Sequence, residues 1–85
     1  MVLKFFIDGK SFECLKQTVP PGASWRSAIE NAVHLSNVGA AKVGSNAVVT
    51  CDDIAARDLL SHARTSCPGA ATRIAEAFRA AGLTP

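Results

Sequence analysis

The stretch Val2-Leu-Lys-Phe-Phe-Ile-Asp-Gly-Lys-Ser-Phe-Glu-Cys-Leu15 decides how the fold is read. Asp8-Gly9 stands between two apolar-rich runs, and both residues adopt positive φ cheaply, so the pair predicts a two-residue type I′ turn. Counting outward pairs Phe5 with Phe12, Lys4 with Glu13 and Leu3 with Cys14. Leu3, Phe5, Ile7, Phe12 and Cys14 then share one face, and Lys4/Glu13 form an opposite-charge pair on the other. Val2, Phe6 and Leu15 are left on that second face, where three large apolar groups need cover.

Beyond this hairpin, Pro20-Pro21-Gly22 stops the second strand with a type II turn. Ser24 is placed to cap a helix whose stripe is Trp25, Ala28, Ile29, Ala32 and Val33, ended by Asn37-Val38-Gly39. Val43-Gly-Ser-Asn46 reads as a turn and Ala47-Val-Val-Thr-Cys51 as a strand that can join the hairpin's sheet. Asp52 or Asp53 caps the next helix, over Asp53 to Ser66, with Ile54, Leu59, Leu60 and Ala63 as its stripe. Ser66 or Cys67 caps a last helix from Pro68 to Ala81, burying Ala71, Ile74, Phe78 and Ala81, with Gly82 as a left-handed C-cap. The expected fold is α+β in two layers, a small antiparallel sheet (hairpin plus one strand) against three helices, in the order ββαβαα.

Hairpin, Pro-Gly turn and following helix resemble the first half of a β-grasp domain of the ubiquitin-like or ferredoxin-like kind, as far as about Val38. The rest of the chain offers helices where that fold needs strands. The clustered cysteines of plant-type ferredoxins are absent, and no function is carried over.

Eighty-five residues make one core, so 1–85 is read as a single domain. The 48% apolar share is enough to fold it. At this size stability is marginal without a staple or a partner. Three cysteines, an odd number at irregular spacing, and an opening without signal-peptide character point away from a disulfide and toward the cytoplasm. No apolar run reaches the roughly 18 residues of a membrane span, so no membrane is expected.

Little in the sequence carries chemistry. Cys14, Cys51, Cys67, His34 and His62 lack the local Cys-x2-Cys or His-x3-His pairs of a zinc site, and no metal or cofactor is expected. Cys67 has a helix N-terminus that favours a thiolate, but capping explains its place as well. Capping also explains Asp52-Asp53, and the glycines follow no phosphate-loop spacing. The last two helices carry Arg57, Arg64, Arg73 and Arg79 on a helix–turn–helix outline. However, the net charge is only +2 and Glu76 lies three residues from both later arginines.

The leading expectation is therefore a non-enzymatic protein–protein interaction module, self-associating or binding another protein through Val2, Phe6 and Leu15. The alternative for covering that face is a loop from Ala40 to Asn46. A nucleic-acid-binding regulator using the four arginines comes second, and a thiol or redox role for Cys67 third.

Overall fold

Asp8 starts a helix; it does not turn a hairpin. In the computed structural model, which describes residues 1–35 and 46–85, the chain runs β1 (Val2–Ile7), α1 (Gly9–Thr18), α2 (Arg26–Glu30), β2 (Val33–Leu35), β3 (Asn46–Asp52), α3 (Asp53–Ser66) and α4 (Pro68–Ala80). The Asp8 carboxylate accepts from the Ser11 N–H at 3.3 Å, and the Gly9 N–H donates to the Asn46 side chain at 3.0 Å. Aspartate is as good an N-cap as it is a turn residue, and local sequence alone does not separate the two. The spacing of the next residues favours the helix. Gly9, Phe12 and Leu15 recur every third residue and are the buried positions of α1, with lysine, serine, glutamate and cysteine between them. Glu13 consequently pairs with Lys16 on its own helix, at 3.4 Å, and not with Lys4.

The fold class stands: a three-stranded antiparallel sheet packs against helices in an α+β arrangement. The expected hairpin, and with it the likeness to a β-grasp opening, does not. β3 takes the place the hairpin's second strand was expected to hold. It lies at the centre of the order β1-β3-β2, with Leu3 opposite Cys51, Phe5 opposite Val49 and Phe6 opposite Val48. The helix expected from Ser24 is also cut short. After α2, the β-branched Val33 begins a strand that pairs Val33 with Val48 and His34 with Ala47, satisfying backbone groups on β3 that would otherwise be open. Ser24 does not cap α2 but donates to Asp58 at 2.7 Å. The expected stop at Asn37-Val38-Gly39, the start of the expected turn and most of the proposed covering loop lie in residues 36–45, outside the described residues.

Other local readings hold. Pro20, Pro21 and Gly22 form a turn closed by the Ala23 N–H on the Pro20 carbonyl, with Gly22 at φ +76°. Asp52 caps α3 through the Ala55 N–H at 2.8 Å. Cys67 is the residue between α3 and α4, with Pro68 opening the latter. At the far end of α4, Gly82 at φ +78° donates to the Arg79 carbonyl while Leu83 donates to Phe78. This double closure satisfies the last carbonyls of the helix.

The core lies between the sheet and the helices. Leu3, Phe5 and Ile7 from β1 and Ala47 and Val49 from β3 meet Phe12 and Leu15, Trp25 and Ile29, then Ala56, Leu59, Leu60 and Ala63, and finally Ile74 and Phe78. Ile54, expected in the stripe of α3, is instead exposed. Gly69 lets α4 begin directly against α1, since a Cβ there would come within 2.6 Å of the Ser11 hydroxyl. The same junction carries a covalent bond: Cys14 and Cys67 form a disulfide across 6.0 Å of Cα separation. This overturns the expectation of unpaired cysteines. Two of the three cysteines pair because the fold brings α1 to the α3–α4 junction, which their spacing in sequence does not reveal.

Candidate functional site

β1 alternates between outward and buried side chains along its whole length. Cross-strand partners in an antiparallel pair share a face. The outward face therefore carries Val2, Lys4 and Phe6 from β1, Val48, Thr50 and Asp52 from β3, and Val33 from β2. Phe6, Val48 and Val33 form one row running across all three strands. The helical core packs on the opposite side, where the His34 ring lies 5.2 Å from that of Phe12.

The large apolar side chains left exposed among the described residues are Met1, Val2, Phe6, Val33 and Ile54. Three lie on this face, which is bare among the described residues, with Phe6 40%, Val33 63% and Val2 68% exposed. Met1 and Ile54 flank its end, where the Asp53 N–H bonds the Met1 carbonyl at 2.8 Å. Two of the three residues expected at an interface, Val2 and Phe6, are thus brought together. Leu15 is not: it is fully buried, because the segment that carries it is a helix on the core side. Val33 and Val48 replace it. Neither is legible locally, because Val33 fits a helical stripe as well as a strand and the register of the central strand rests on long-range pairing.

The four arginines do not converge. Arg57 donates to the Thr84 carbonyl at 3.1 Å and lies over the Phe78 ring at 4.9 Å, which ties the C-terminal segment to α3. Arg73 pairs with Glu76 at 3.8 Å on its own helix. Arg64 and Arg79 stand in the last turns of α3 and α4, at opposite ends of that helix pair.

A second cluster surrounds the disulfide. The Thr18 hydroxyl donates to the Cys14 carbonyl at 2.8 Å and lies 2.8 Å from His62 Nε2 and 3.8 Å from Cys67 Sγ. His62 also packs against the Trp25 ring at 5.0 Å. Ser24, Asp58, Ser61 and Thr65 continue from it along an open groove between α3 and the segment before α2. No group of three or more His, Cys, Asp or Glu among the described residues could hold a metal ion. Cys51, the free cysteine, is half-buried beside Asp52. Burial first, and then that carboxylate, push its thiol up to about 11, which leaves it a poor nucleophile near neutrality. No helix among the described residues is long and apolar enough to cross a membrane. Comparison with known proteins finds no matching family model, no matching curated protein and no matching solved structure.

Proposed function

We propose that this chain is a non-enzymatic interaction module that associates with a second copy of itself through the bare face of its sheet. The observation that carries the reading is the distribution of exposed apolar groups: those among the described residues lie on that face or at its end. Scattered singly, such residues need no explanation; gathered on one surface they support an interface.

A second copy suits the surface for two reasons. Two such sheets stacked face to face at the usual spacing of about 10 Å give a four-layer α/β–β/α sandwich in which each sheet is covered on both sides. The face also presents Lys4 and Asp52 in neighbouring rows, so two copies can meet without stacking charge of one sign. The patch is small. Six paired residues on each of β1 and β3 and three on β2, at about 4.8 Å by 3.3 Å per residue, project roughly 240 Å², against about 800 Å² per partner in a standard interface. The association is accordingly of the weak, concentration-dependent kind.

Sedimentation velocity across a wide concentration range tests it. The wild type should shift from monomer to dimer, and Phe6→Lys with Val33→Lys should remain monomeric while keeping its helical circular dichroism. A wild type that stays monomeric at the highest concentration reached overturns self-association. Cytoplasmic residence, proposed with it, has its own consequence. A reducing compartment would hold Cys14 and Cys67 largely as thiols, so in-cell alkylation that finds only the disulfide would refute it.

A further inference from the structure

The two sulfurs of the Cys14–Cys67 bridge have unlike surroundings. Both line a small surface cleft of about 170 Å³, together with Lys10, Ser11, Ser66 and Gly69. Cys14 is half-buried where α1 meets the α3–α4 junction, whereas Cys67 is only 2% exposed. A thiolate arriving through the cleft therefore meets Cys14 first. Cys67 is the sulfur better placed to receive negative charge. It stands at the N-terminus of the 13-residue α4, with the Thr18 hydroxyl 3.8 Å behind it and His62 Nε2 2.8 Å from that hydroxyl. Thr18 can turn its proton from the Cys14 carbonyl to a Cys67 thiolate while His62 donates to Thr18. A stabilised leaving thiolate departs faster. Among the described residues Lys10 is the charged group lining the cleft, and no carboxylate lines it.

We propose that this disulfide is a modification site at which small thiols bearing a carboxylate exchange into Cys14. The incoming thiol gives its proton to solvent, and its sulfur pair forms a new S–S bond to Cys14 Sγ. The Cys14–Cys67 bond breaks, and its pair leaves on Cys67 as a thiolate. Attack of that thiolate back on Cys14 expels the small thiol and restores the bridge. Attack by a second small thiol on the sulfur of the first frees Cys14 and releases a small disulfide, so two thiols are oxidised as one bridge is reduced.

The test uses the whole oxidised protein. It is treated with reduced glutathione, quenched in acid and mapped by peptide mass. The adduct should lie on Cys14, at about tenfold or more over Cys67, with Cys67 open to alkylation. An adduct chiefly on Cys67, or none under conditions in which an exposed small-molecule disulfide exchanges fully, overturns the proposal. Thr18→Val should slow adduct formation several-fold without moving it from Cys14, and an unchanged rate removes the assigned role of Thr18. Lys10→Gln should lower the rate with glutathione but not with neutral mercaptoethanol, whereas an equal effect on both overturns the anionic class of thiol. Because the mapping needs no variant, misfolding of either substituted protein leaves the main result standing.

Discussion

Phe5 and Phe6 are adjacent, carry the same side chain and meet opposite fates: 4% exposed on the core side of β1 and 40% on the bare side. The strand's alternation does this, since successive side chains point to opposite faces and, among the described residues, the helical core packs on one of them. Leu3, Phe5 and Ile7 are therefore fixed by everything packed on them, while Val2, Lys4 and Phe6 stay largely open among the described residues, with Lys4 and Phe6 edged by Arg73, Glu76, Ala77 and Ala80 of α4. Apolar character alone does not say which role a residue plays; its position relative to the covering layer does.

Leu15→Lys should break this comparison most violently. Leu15 was expected to share the bare face with Phe6, where a lysine would be tolerated, yet it is wholly buried in α1. A charge forced into that site costs more than about 5 kcal/mol, beyond the margin of a small domain, and circular dichroism should show loss of cooperative folding. Phe6→Lys, by contrast, should leave the monomer folded.

Phe5→Ala and Phe6→Ala sharpen the contrast with identical chemistry. Truncating the first should cost about 3–5 kcal/mol in urea unfolding, and truncating the second, part of whose surface is already in water, about 1–2 kcal/mol in dilute monomer. Equal losses would mean that both faces are buried in the isolated chain.

The bridge acts on the covered side. It closes 53 residues of sequence separation and holds α1 against the start of α4. Replacing Cys14 and Cys67 together by serine should lower stability by roughly 2–4 kcal/mol, with a lower denaturation midpoint and an unchanged bare face.

Asp8→Ala removes the cap of α1 and should cost about 1 kcal/mol. The Ser11 hydroxyl and, beyond an opposing contribution from burial, the Ser11 N–H hold the Asp8 carboxyl below its ordinary value of 3.8. Its folded pKa is thus lower than its unfolded one. The cap's contribution is fully present above the unfolded value and is lost as pH falls through the folded value. Wild type should lose part of its advantage over Asp8→Ala on acidification below about pH 4, a difference that Asp8→Asn should not show.

Local signals settled much of the chain. Pro20-Pro21-Gly22, the Asp52 cap, Pro68 at the start of α4 and Gly82 at its end each rest on backbone geometry that few residues satisfy, so their outcome does not depend on distant neighbours. The alternation of β1 was equally legible, which is why Val2 and Phe6 could be placed together.

Asp8-Gly9 was different. Aspartate serves a turn and an N-cap equally well, and Phe12 fits the core from either a strand or a helix, so residues 9–18 took their structure from β3, which claimed the pairing edge of β1 from some forty residues away. The same long-range pairing drew Val33 out of the helical stripe and into β2. Cys14 and Cys67 likewise met only because those elements had packed. By itself, then, the sequence determined most of the composition of the core, the class of fold and the ends of many elements, since these rest on side-chain size, polarity and φ preference. Strand partners, the face on which Leu15 lies and the cysteine pairing were decided by tertiary structure, because each depends on which of several locally equivalent arrangements closes the core and satisfies the backbone across the whole chain.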